Sequence, residues 1–253
     1  MNARFDAELD RPGSGCPGWD RTGQNGWDPT AYVADGALTL DTSLRAQAAA
    51  DLHHWVEHVV DTGTLDTASE IAGRLRRDGF PIYVTRDLEA AKQYARDRFA
   101  GERERRFGLL TSSLAKNLEA HNLFPDFQAR KTLKIGAWFN ADPAAALSCC
   151  GLDIVVSEFE CQGLELDLPI VCWGDDFWWG EEQWVSRRGR PHRLVRDPHR
   201  LRTNAYRVLL TRGREGLVIF VPPNPSAQMD ATFGALLRAG AVEARGVQMA
   251  MTG

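Results

Sequence analysis

The chain has 253 residues, 43 % of them hydrophobic and 25 % charged, with a formal net charge of −4 at pH 7. That length and apolar fraction fit one or two globular domains with a real core and exclude a globally disordered chain. No apolar run reaches the roughly 18–20 residues of a membrane span. The mixed-charge start Met1-Asn2-Ala3-Arg4-Phe5-Asp6 has no apolar secretory core, so neither a membrane nor a secreted protein is expected. Five cysteines, an odd number, fit a reducing compartment, the cytoplasm, better than a disulfide framework.

Residues 1–36 are expected to form an irregular N-terminal segment, because Pro12, Pro17, Pro29 and glycines at 13, 15, 18, 23 and 26 leave no room for a long element. A single domain over 37–253 should follow. From Asp41 or Thr42, either of which can cap, Leu44, Ala48, Leu52, Val56 and Val59 recur at helical spacing. Further helices are predicted over 67–77 (stopped by Asp78-Gly79), 88–99, 114–121, 201–210 and 227–237. Strands are predicted over 81–85, 107–111, 153–156, 169–173 and 217–221, and residues 177–185 alternate about Gly180 as a small hairpin would. Strands that alternate with helices, and that are apolar throughout, predict an α/β fold: one parallel sheet covered on both faces.

Generic motifs are scarce. The sequence contains no GxxxxGK[ST], HExxH or GxSxG pattern, so it has no phosphate-cradling P-loop of its own. Gly13-Ser14-Gly15-Cys16-Pro17-Gly18 satisfies GxGxxG, but no strand precedes it and no helix follows, which makes it a chance match. His54 and His58 lie four apart and read as a wet helix face rather than metal ligands. Cys149, Cys150, Cys161 and Cys172 read as buried thiols, and Asp175-Asp176 as capping acids, so no metal site is expected. Between Glu181 and Glu215 ten arginines face four acids, a basic block in an acidic protein that suits a polyanion or forms a solvated face. Beside it, Trp173, Phe177, Trp178, Trp179 and Trp184 read as packed core or a domain interface in preference to a base-stacking track.

Two longer stretches carry more. Val156-Ser157-Glu158-Phe159-Glu160-Cys161-Gln162-Gly163-Leu164-Glu165-Leu166-Asp167 lies between two predicted strands, and Asn204-Ala205-Tyr206-Arg207-Val208-Leu209-Leu210-Thr211-Arg212-Gly213-Arg214-Glu215-Gly216 runs from a helix into a strand. They resemble motifs V and VI of superfamily 1 helicases, and more closely the Schlafen group 3-like DNA/RNA helicase domain family. In that family EF-x-x-QGLELD, WG-D and NAYRVLLTRGR-[ED]-G follow in this order. Leu38–Arg45 resembles motif IV loosely, through its arginine. The resemblance covers about residues 38–240.

The resemblance implies two RecA-like domains that sandwich ATP and Mg²⁺, with this sequence matching the second, C-terminal half. The P-loop half is then supplied from elsewhere, for example in trans, and the chain alone is expected to be inactive. The resemblance implies Arg212 as the motif VI arginine that stabilises charge on the γ-phosphate, with Arg214 as second candidate and Arg45 as the motif IV counterpart. It implies Glu165 as an acceptor for the ATP ribose, Gly163 as a close-approach turn glycine, and Gln162 as a contact to nucleic acid or a coupler of the two sites. Ser112 and Ser113, after a predicted strand, can hold phosphates of single-stranded DNA or RNA or cap the helix from Leu114. Arg187, Arg188 and Arg190 can track its backbone. Beside these stand blander readings: surface ion pairs for the arginines, a surface acid and a solvated turn residue for Glu165 and Gln162. Two rival functions remain: a non-catalytic nucleic-acid-binding or regulatory module, and a protein-interaction domain docking on another ATPase.

Overall fold

The computed structural model describes residues 36–123, 133–187, 197–223 and 227–244, with side chains from Ala46 onward. The expectations for residues 1–35, for Arg188 and Arg190, and for the Arg45 side chain lie outside the described residues. Helix α1 spans Gly36–Val56 and continues through a π-helical turn, Glu57–Asp61. It starts ahead of the Asp41 or Thr42 cap expected from sequence. Helix α2 (Leu65–Arg77) turns at Asp78-Gly79 into strand β1 (Ile82–Thr85). Helix α3 (Leu88–Arg98) is capped by Asp87, whose carboxylate accepts the Ala90 N–H, and leads to β2 (Phe107–Thr111). A short helix α4 (Ile135–Asn140) precedes β3 (Val155–Ser157) and β4 (Leu168–Cys172). A hairpin, β5 (Phe177–Gly180) and β6 (Gln183–Ser186), leads towards α5 (Pro198–Leu210), which has Asp197 as cap and proline at its first position. Strand β7 (Leu217–Phe220), helix α6 (Ala227–Arg238) and the two-residue β8 (Val242–Glu243) complete the order.

Six strands form one all-parallel sheet in the order β3-β2-β4-β7-β1-β8. Every residue of β2, β4 and β7 is buried, as strands covered on both faces require. This is the α/β, RecA-like arrangement. Trp173, Phe177, Trp184 and Tyr206 stack with ring centroids 4.4–6.3 Å apart and are all buried, so these rings belong to the core.

One expectation is corrected, and the expected hairpin is present. Residues 114–118 form turns rather than a helix, with only a 3₁₀ turn at Glu119–His121. Acceptors outside a helical ladder take N–H groups there: the local Ser112 Oγ accepts from Leu114 at 3.2 Å and the distant Asp175 Oδ1 from Lys116 at 2.9 Å. In the hairpin, Gly180 pairs with Gln183 and the turn falls on Glu181 and Glu182, at φ of 53° and 57°. Two-residue hairpin turns of this kind favour Asn-Gly, so glutamate at both positions carries backbone strain.

Candidate functional site

The segments 164–167 and 212–215 are far apart in sequence and adjacent in space. Leu166 donates its N–H to Arg212 O at 2.8 Å, Arg214 donates to Leu166 O at 2.8 Å, and Glu215 donates to Asp167 O at 2.9 Å. This parallel bridge extends β4 and β7 beyond their amino ends. It brings Glu165 and Arg214 into an ion pair, Nε to Oε2, at 2.8 Å, with both side chains more than half exposed.

Gly213 sits at the centre of this pairing. A Cβ there would stand 2.3 Å from Gly216 O, so only glycine lets the turn close. Gly163 has a different reason for being glycine than the one expected. Nothing lies within 4 Å of a Cβ at that position, but its φ of +81° is costly for any other residue.

The Arg212 guanidinium turns back onto neutral acceptors. Nε donates to Val208 O at 2.9 Å, Nη1 to Leu164 O at 3.2 Å and Nη2 to Thr211 Oγ1 at 3.2 Å. Among the described residues it forms no ion pair. The arginine therefore closes the carboxyl end of α5, where a cation is favoured, and staples it to residue 164.

A cleft of about 930 Å³ opens along the amino edge of the sheet, with Phe80, Arg105, Glu165, Asp167, Arg214 and Glu215 in its walls. Arg212 lies behind the Gly213 turn and does not line it. Arg105 bonds Glu102 at 2.8 Å, Asp167 at 3.3 Å and Glu215, and these acids hold its guanidinium well above the usual arginine range.

The carboxyl edge carries a second cluster that sequence reasoning missed. From β2 the chain passes outward to β3, and from β4 it proceeds to β7 on the other side. The crevice between β2 and β4 is thus the switch point at which such sheets ordinarily receive ligands. Here buried side chains fill it. Arg202 of α5 reaches Asp176 at 3.1 Å, Glu158 at 3.4 Å and Ser112 Oγ at 2.6 Å. Glu158 also accepts the Ser113 N–H and hydroxyl, both at 2.8 Å. Ser112 Oγ donates to Asp176 at 2.6 Å and Tyr206 Oη donates to it at 3.0 Å. Burial pushes the Asp176 carboxyl above the usual range, and burial together with that carboxylate pushes the Tyr206 hydroxyl well up.

The expected site residues divide between these two edges. Glu165 and Arg214 come together at the amino edge, with Arg212 directly behind and exposed Gln162 and Gly163 in the preceding loop. Ser112 and Ser113 lie at the carboxyl edge. Ser112 is fully buried, with its hydroxyl engaged by Asp176, Arg202 and the Leu114 N–H. Arg187 is paired with Asp175. A usable signal for Arg202 was present in the sequence: it shares a helical stripe with Tyr206 and Leu209, both fully buried, and a cation on an apolar stripe needs an acid partner. Cys149, Cys150, Cys161 and Cys172 are free and buried, and the described residues hold no group of three or more His, Cys, Asp or Glu that could bind a metal. Burial pushes the Cys161 and Cys172 thiols up to about 12.

The sequence matches the model of the family Schlafen group 3, DNA/RNA helicase domain, over residues 19–223. No curated protein matches the chain.

Proposed function

The chain belongs to the Schlafen group 3, DNA/RNA helicase domain family, and we propose that it acts as the C-terminal RecA-like half of an ATP-dependent helicase working on single-stranded DNA or RNA. The observation that carries this reading is the pairing of 164–167 with 212–215, which unites the two stretches assigned to motifs V and VI. Phosphoryl transfer spreads negative charge over the γ-phosphate oxygens and is accelerated by a positioned guanidinium. Arg212 suits that role because carbonyl and hydroxyl oxygens hold its guanidinium while no carboxylate among the described residues cancels its charge. Glu165 offers an acceptor to a ribose hydroxyl once its partner Arg214 turns to phosphate.

Glu165 and Arg214 in the cleft wall suit a ribose hydroxyl and a phosphate, Arg212 would have to turn out from behind Gly213 to reach the γ-phosphate, and nothing present suits the rest of ATP. The sequence has no P-loop to cradle the other phosphates, and the described residues hold no carboxylate cluster for Mg²⁺. A P-loop half must supply both. A second reading, a non-catalytic nucleic-acid-binding or regulatory module, draws support from the cleft itself, where acids already engage Arg105 and Arg214. Mixing the chain with a P-loop half from the same family tests the choice. Hydrolysis that neither part shows alone, stimulated by single-stranded DNA or RNA, supports the helicase half; continued absence of turnover supports the module.

A further inference from the structure

Phe159 is the most exposed large hydrophobic side chain among the described residues, at 67 %. It does not stand on a loose loop. Glu158 before it is anchored by Ser113 and Arg202, and Glu160 after it accepts the Ser157 N–H at 2.7 Å and the Ser157 hydroxyl. The Phe159 N–H donates to Ser157 Oγ at 3.3 Å, and the Cys161 N–H to Ser157 O at 3.0 Å. Both flanking acids are thus turned inward and bonded, while the ring between them is held out in water at the end of β3.

Holding a phenyl ring in water forfeits the stabilisation of burying it. A partner that covers it pays little ordering entropy, since the turn is already fixed. The neighbours point to the partner. Leu114 and Leu201, 52 % and 47 % exposed, are the chain neighbours of Ser113 and Arg202, both of which bond Glu158. Lys116 and Arg200 are exposed close by in sequence to these leucines. One ring and two leucines fall far short of the roughly 1,200–2,000 Å² that a specific protein interface buries. A flat ring with dispersed cations matches a nucleobase and its phosphates instead.

We propose that Phe159 is a base-stacking platform for single-stranded nucleic acid on the carboxyl edge of the sheet, with Lys116 and Arg200 serving the phosphates. This rests on the reading that the chain binds single-stranded DNA or RNA. The Ser112–Asp176–Arg202–Glu158 cluster then has a positioning role, holding the turn that presents the ring. The core aromatics next to the arginine block are buried and take no part.

The test is fluorescence anisotropy of the full chain at low salt with a labelled dT15, a U15 and a 15-mer of abasic sites. Stacking of one base on an aromatic ring corresponds to about a 5- to 150-fold change in affinity. Phe159→Ala is expected to weaken dT15 and U15 binding within that range and to leave abasic-strand binding and the salt slope unchanged. Phe159→Trp should keep the parent affinity. If the parent binds dT15 and Phe159→Ala binds it equally well, the platform is refuted and nucleic-acid binding stands. If the parent binds none of the strands, the underlying reading falls and the platform with it. If Phe159→Ala abolishes a concentration-dependent dimer with no change in strand affinity, the ring serves self-association and the proposal is overturned.

Discussion

Arg202→Ala removes the guanidinium that stands between Asp176 and Glu158, whose side chains are only 1 % and 6 % exposed. The two carboxylates then face each other across the β2–β4 crevice with Ser112, Ser113 and Tyr206 as their remaining partners. Removing one partner of a buried ion pair costs about 3–5 kcal/mol, because the charge left behind is uncompensated. At about 2–4 °C per kcal/mol for a protein of this size, the melting temperature should fall by about 6–20 °C. The loss should also depend on pH. Asp176 already sits above its ordinary value because of burial, and without the Arg202 charge it moves further up. A carboxyl whose folded pKa is raised favours folding at low pH and loses that contribution as pH rises through the folded pKa. The deficit of the variant should therefore be larger at pH 7.5 than at pH 5. Circular-dichroism melts of parent and variant at both values measure it. Equal melting temperatures at pH 7.5 would refute the description of this cluster as a charge-balanced, dry network.

Replacing Glu181-Glu182 with Asn-Gly should stabilise the hairpin by about 1–2 kcal/mol, since both positions have positive φ and non-glycine residues carry that cost; a lower melting temperature, allowing for the lost Glu182–Arg238 pair, counts against it. Cys161 and Cys172, whose thiols burial pushes up to about 12, should resist iodoacetamide at pH 8 until urea unfolds the chain. Peptide mapping that finds either residue labelled at the rate of a free thiol in the folded protein would contradict their placement.

The sheet was legible in the sequence wherever burial on both faces made a continuous apolar run, as in Leu168–Cys172 and Leu217–Phe220. Elements settled by long-range partners were not. Residues 114–118 carry a helical pattern, yet Asp175, far along the chain, takes the Lys116 N–H, and nothing local announces that. The two-residue β8 is defined only by its pairing with Tyr83 and Val84. At the site, Gly163 was legible as a turn residue, but the geometry that requires it and Gly213 is visible only in three dimensions. The arginine block shows the limit most clearly. Arg202, Arg212 and Arg214 belong to one basic block, but the first is sealed in the crevice, the second caps a helix and the third faces the cleft. Phe159 looked like one more apolar residue in a strand-flanking loop. Only the inward fixing of the glutamates on either side shows that it faces water.

The role proposed for Arg212 on the transferring phosphoryl group is tested most directly by the steady-state ATPase of the chain combined with a P-loop half, parent against Arg212→Lys. Lysine keeps the charge and loses the planar fork, so a general electrostatic role would survive the change. Arg212 also holds Val208 O and Leu164 O, so turnover is expressed per folded molecule, with the folded fraction taken from thermal melts. The account predicts that kcat falls on the order of 10³-fold while KM for ATP changes far less, because the lost interaction belongs to the transition state. Turnover at the parent rate would contradict it, leaving Arg212 as a helix cap and Arg214 as the arginine to be tried in its place.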